Sequence, residues 1–104
     1  MMPTIDDALE YLGIDYEDSV VTANVRRSLE AAQSVLYGAV GEDVETYLPD
    51  DPRVTKLVLM YTDELYSGRG VAGSNAGSAT GRLVADMELQ LRLELRQAKE
   101  ARGV

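Results

Sequence analysis

The segment Gly68-Arg69-Gly70-Val71-Ala72-Gly73 matches the G-x-G-x-x-G string with which some folds hold a dinucleotide. That chemistry needs the string to follow a strand and open a helix, so that backbone N–H groups meet the pyrophosphate. Here a helical pattern precedes it, and the chain is too short for the rest of such a fold. Nor does the segment end in Gly-Lys-Ser/Thr, as a phosphate-binding P-loop does. No nucleotide or other cofactor is expected.

The other candidates are acidic. Asp6-Asp7, Asp15/Glu17/Asp18, Glu42/Asp43/Glu45, Asp50-Asp51 and Asp63-Glu64 offer the oxygen ligands that hard cations take. None has the alternate spacing, central Gly and closing Glu of an EF-hand loop. Their positions at helix starts and on polar faces assign them to capping and solvation instead. The chain contains no His and no Cys. It therefore lacks the usual general base at neutral pH, the commonest metal ligand, thiolate catalysis and disulfides. Ser19, Ser28, Ser34, Ser67, Ser74 and Ser78 have no His to activate them. No feature marks a desolvated carboxylate pair for acid–base work. Neither catalysis nor a metal site is expected.

What remains is a small helical domain. The 104 residues are 45% hydrophobic and 27% charged, a foldable composition for one domain. A chain of this size buries roughly 65% of its unfolded surface, which makes a thin core that gains from a partner. The net charge is −8, which opposes binding to a phosphate backbone. It is unevenly spread. Residues 1–66 hold fourteen Asp/Glu and four Lys/Arg, a net of −10, whereas residues 67–104 hold four and six, a net of +2. The N-terminus lacks the basic and apolar regions of a signal peptide, and the longest apolar run, Leu57 to Tyr61, is far too short to span a bilayer. A soluble intracellular protein is expected.

Thr4 with Asp7 three residues later reads as a capping box, and Gly13 as the stop of that first helix. A second helix starts at Asp18 or Ser19. Val21, Val25, Leu29, Ala32, Leu36 and Ala39 give it an amphipathic stripe, and Gly38 and Gly41 mark its end. Residues 42–51 read as acidic and irregular. Asp51-Pro52 then opens a helix with Pro at its first position. Val54, Leu57, Val58, Tyr61 and Leu65 form its core face, and Leu59, Met60 and Tyr66 widen it, so this helix is expected at the centre. The six tyrosines, with no Phe or Trp, favour packing at Tyr37 and Tyr61 and rim positions at Tyr11, Tyr16, Tyr47 and Tyr66.

Residues 68–81, GRGVAGSNAGSATG, contain nothing large enough to anchor them in a core, and a flexible interface loop is expected. Gly68, Arg69, Gly70, Gly73, Ser74, Asn75, Gly77, Ser78 and Gly81 are its candidate interface residues. The arm that follows, residues 82–104, carries conflicting signals. Leu83, Ala85, Met87, Leu89, Leu91, Leu93 and Leu95 alternate with polar residues as in a half-buried strand. Yet almost every residue is a strong helix former, and the length exceeds most strands. Propensity and length predict a helix over 82–101, with Thr80 as a cap. At about 100° per residue, Leu83, Val84, Met87, Leu91, Leu95 and Ala98 share one face, while Ala85, Leu89 and Leu93 lie roughly opposite. A terminal helix of a monomer needs one apolar face; this one has two. Ala85, Leu89 and Leu93, with Arg92 and Arg96, are the candidate contact residues for another chain.

The expected fold is thus all-α. Four helices lie near 4–12, 19–38, 52–67 and 82–101, in a single domain over 1–104. The order of elements, TIDDALEYLGID, VRRSLEAAQSVLYGAVG, LPDDPRVTKLVLMYTDELY, a Gly-rich loop and TGRLVADMELQLRLEL, resembles the small head–tail connector (adaptor) proteins of tailed bacteriophages. The resemblance covers nearly the whole chain. Its most specific parts are YLGID, EAAQSVLYGAVG and the DPRV…LVLMYTDELYSGR helix. The final arm departs from it, being longer and richer in Leu and Arg than the short Pro-containing ends of many members. The resemblance implies α-helical subunits assembled into a ring, dodecameric in the virion. Such a ring docks beneath the portal protein, extends the DNA channel and carries a stopper or tail-completion protein. It implies no cofactor and no enzymatic step, and a location at the head–tail interface of the virion, with host cytoplasm as the site of assembly. An acidic body suits a channel that DNA crosses without specific binding, because like charge keeps phosphates off the wall. The rival expectation is a free-standing acidic helical protein that binds a basic partner, such as a DNA-mimicking inhibitor or a small regulator.

Overall fold

The computed structural model of the chain describes residues 2–68 and 79–102. Among them are five helices and no strand: α1 (Ile5–Leu12), α2 (Ser19–Ala39), α3 (Val44–Tyr47), α4 (Pro52–Ser67) and α5 (Ala79–Arg102). The all-α expectation holds, and the arm is a helix along its described length. Alternating leucines make a strand only where a neighbour supplies backbone partners; residues that favour helix satisfy their own backbone and need none.

Local chemistry sets most helix ends. The Asp7 N–H donates to Thr4 Oγ1 at 3.1 Å, and the Thr4 N–H donates to Asp7 Oδ2 at 2.9 Å, which completes the capping box. Gly13 closes α1 in the left-handed conformation, at φ 76°. Asp18 Oδ1 accepts from the N–H groups of Val20 and Val21 at 2.9 and 3.1 Å and so opens α2. Asp51 caps α4 through the Arg53 N–H, with Pro52 at the first position.

Three boundaries differ from expectation. Gly38 lies inside α2, whose hydrogen bonding continues to Val40, so a single Gly did not stop a helix held by its buried stripe. The stretch 42–51 contains the single turn α3, because Val44 is drawn fully into the core. Thr80 and Gly81 fall within α5, which begins at Ala79, so neither is a cap or a loop residue.

α4 is central, packed against α1, α2 and α5, and its pairing with α2 is the most extensive. Val25, Leu29, Ala32 and Leu36 of α2 meet Val54, Leu57 and Val58 of α4 in the core, joined by Ala8, Val44, Leu91 and Leu95. Burying each of the large side chains contributes about 1.5–3 kcal/mol. Thr62 of α4 is fully buried as well, and donates its hydroxyl to the Val58 carbonyl at 2.7 Å. Leu65, expected on the core face, is instead 47% exposed. The principal extents are 49 × 30 × 17 Å. At an axis separation of about 8–10 Å, that thickness admits roughly two layers of helices. α5 therefore has neighbours on one side only.

Candidate interaction surface

α5 is held to the body by a narrow apolar line and several polar links. Leu91 and Leu95 are buried, and Val84 and Met87 are packed against the core. Arg53 of α4 grips Glu94 with both ends of its guanidinium, Nη1 to Oε2 at 2.7 Å and Nη2 to Oε1 at 2.6 Å. It also pairs with Asp51 at 2.7 Å and reaches Gln90 at 3.3 Å. This hydrogen bonding holds the Glu94 and Asp51 carboxyls below the usual carboxylate range, and the two acids in turn raise the guanidinium. Tyr61 donates its hydroxyl to Glu88. Burial, then that carboxylate, pushes the phenol up.

A second group of links ties α5 to the α2–α3 segment. Arg92 donates to the Ala39 carbonyl at 3.0 Å, and Lys99 pairs with Asp43 at 2.8 Å. Arg102 reaches the Thr46 carbonyl at 3.4 Å and lies over the Tyr47 ring, 5.2 Å from its centroid. The Lys99 ammonium holds the Asp43 carboxyl below its ordinary value. Nearby, Tyr37 donates to Glu45 at 2.8 Å, and that hydrogen bond, followed by burial, raises the Tyr37 phenol.

The opposite side of α5 is open. Leu89 and Leu93 are 47% and 48% exposed, and Ala85, Arg92 and Arg96 are also exposed. Leu89, Arg92, Leu93 and Arg96 line one open depression together with Val40, Leu95, Lys99 and the acidic Glu100, whereas Ala85 is not part of it. The two-faced reading of this helix thus holds for its central turns. It fails at Leu83, expected inward but 53% exposed, because the first inward contacts of α5 come from Val84 and Met87.

Of the expected loop residues, Gly68 is the left-handed cap of α4 at φ 71°, and Gly81 lies in α5. Arg69, Gly70, Gly73, Ser74, Asn75, Gly77 and Ser78 lie outside the described residues. Sequence reasoning missed Arg53, Tyr61 and Lys99 as the anchors of α5. Their partners Glu94, Glu88 and Asp43 are remote in the chain, so no local pattern announces them. It also read Gly41 only as a helix stop. That residue, at φ 148°, lies against Leu95, so close that an added Cβ would stand 2.7 Å from Leu95 Cδ2.

Among the described residues no three metal-ligating side chains gather into a cluster, and no helix is long and apolar enough to cross a membrane. The acids expected as caps serve as such at Asp7, Asp18 and Asp51. What the surface offers is an apolar strip with guanidinium groups beside it, which suits contact with another macromolecule. Compared with protein-family models, curated proteins and solved structures, the chain matches none of them.

Proposed function

We propose that this chain is a structural subunit that assembles into a ring at a phage head–tail junction. There it docks beneath the portal, extends the DNA channel and carries a stopper or tail-completion protein. The observation that carries this is the pair Leu89 and Leu93, left half exposed on a helix whose other side is core. Covering the exposed half of each leucine contributes about 1 kcal/mol on association. The likeness in element order to the head–tail connectors supports the kind of assembly. The net charge of −10 over residues 1–66 supports a wall along which DNA slides without adhering.

Native mass spectrometry of the purified chain, alone and mixed with a portal protein, tests the proposal. A ring-sized oligomer, or its addition to the portal ring, supports it. A monomer that ignores the portal and instead inhibits a DNA-binding protein sinks it in favour of an acidic DNA mimic.

A further inference from the structure

The outer side of α5 carries a pattern that extends beyond its two leucines. Arg82, Asp86, Leu89, Leu93, Arg96 and Glu100 follow one another at alternating steps of four and three residues. At about 100° per residue, that spacing keeps all six within about 40° of one line along the helix. All six are exposed, and the line runs opposite the buried Leu91 and Leu95. Such spacing is that of a helix-pairing seam, here with an apolar middle and charged ends. Among the described residues none of the four charged side chains is ion-paired within the chain. Arg82 with Asp86, and Arg96 with Glu100, stand four apart with the base before the acid, which is the weaker order along a helix. The stripe therefore presents two leucines and four unpaired charges to a partner.

We infer that the partner is a second copy of this chain, its α5 running antiparallel to the first about a two-fold axis level with Leu91. In that register Arg82 faces Glu100 of the second copy, Asp86 faces Arg96 and Leu89 faces Leu93, each contact being made twice. The order of residue types along the stripe selects this arrangement. A parallel pairing in register sets arginine on arginine and carboxylate on carboxylate at every charged level. Beside the seam Arg92 approaches its own copy, but its guanidinium is turned back to the Ala39 carbonyl, and Lys99 is turned to Asp43. The core lies behind α5, on the side of Leu91 and Leu95, and does not stand between the two helices. This rests on the reading of the outer α5 face as an assembly surface, and not on the phage role. A two-fold junction uses one surface twice and closes at two copies. The pair is therefore the form of the subunit outside a ring, and it opens where the leucines enter ring contacts.

The absence of native cysteine makes a direct test possible. An Asp86→Cys chain and a size-tagged Arg96→Cys chain are mixed in equal amounts and mildly oxidised, and the dimers are resolved without reductant. In the inferred register these two positions are level, whereas each lies about 15 Å along the axis from its own copy. Expected is a mixed disulfide well above its statistical proportion, several-fold over either symmetric dimer. Statistical proportions of all three, or a dominant symmetric dimer, overturn the inference. Charge reversal gives a second readout, by sedimentation velocity at low salt. Asp86→Arg or Arg96→Asp alone should lower the dimer fraction several-fold, and both together in one chain should restore it. A double variant that stays folded by circular dichroism yet does not pair overturns the register, as does an unaltered chain that stays monomeric at its highest soluble concentration. The two proposals fail separately. Chains that cross-link position 86 to position 96 yet ignore a portal keep this pair and lose the connector role. Chains that join a portal without the mixed disulfide keep the role and lose the pair.

Discussion

Arg53 and Glu94 meet through two parallel hydrogen bonds, 2.7 and 2.6 Å long, across 41 residues of chain. A guanidinium fork on a carboxylate fixes orientation as well as distance. Here it lies beside the buried Leu91 and Leu95 and holds the same side of α5 against the body.

The same pair is one of the contacts that make stability depend on acid pH. Glu94, Asp51 and Asp43 all ionise below the usual carboxylate range, held by Arg53 in the first two cases and by Lys99 in the third. The unfolded chain therefore takes up protons at higher pH than the native one does. Their contribution is complete above the ordinary carboxylate pKa and is lost as pH falls below about 4. Urea midpoints should be constant near about pH 7 and fall towards about pH 3, and the fall should be smaller in Glu94→Gln. An unchanged acid profile in that variant would show that the fork contributes nothing.

Tyr61→Phe removes the hydroxyl that Glu88 accepts from. A loss of about 0.5–1.5 kcal/mol is expected in denaturant unfolding. The alkaline side offers a more specific readout. Burial and Glu88 raise the Tyr61 phenol, so the unfolded chain loses that proton first, and stability declines as pH rises above about 10. A tyrosinate absorbance titration should show a late-ionising fraction in the native chain, and this fraction should shrink in Tyr61→Phe.

Gly41→Ala should destabilise the fold out of proportion to one methyl group. Its φ of 148° is strained for any L side chain, and the new Cβ would stand 2.7 Å from Leu95 Cδ2. About 1–3 kcal/mol is expected, with hydrogen exchange rising first in the Leu91–Leu95 turn of α5. By contrast Gly38→Ala, with open space around it inside α2, should be neutral or stabilising by up to about 1 kcal/mol.

The two faces of α5 should separate folding from assembly. Leu89→Glu with Leu93→Glu is expected to leave a folded subunit that no longer self-associates, because both side chains are half exposed. Met87→Glu with Leu91→Glu should unfold it; even Leu91→Ala, at a fully buried position, should cost about 2–5 kcal/mol. Thermal melts beside sizing chromatography check both pairs. Equal unfolding by the outer pair would make both faces internal.

The sequence by itself determined where most helices begin and end. A cap such as Thr4, Asp18 or Asp51 bonds to N–H groups two or three residues ahead, and a left-handed Gly13 or Gly68 closes a turn with carbonyls just behind it. Such contacts lie within one helical turn, so residue types at short spacing reveal them. The same range made the α2 stripe legible and gave the correct facing of Leu91 and Leu95 against Leu89 and Leu93. Only the tertiary structure decided how far each face is covered. Leu65 and Leu83 obey the same periodicity as their buried neighbours and are nevertheless exposed, so periodicity alone does not set burial. The grip of Arg53 on Glu94, the carbonyl of Ala39 beneath Arg92 and the approach of Gly41 to Leu95 all depend on how α5 crosses the body. That crossing is set by the summed packing of side chains distant in the chain, and no window of neighbouring residues encodes it.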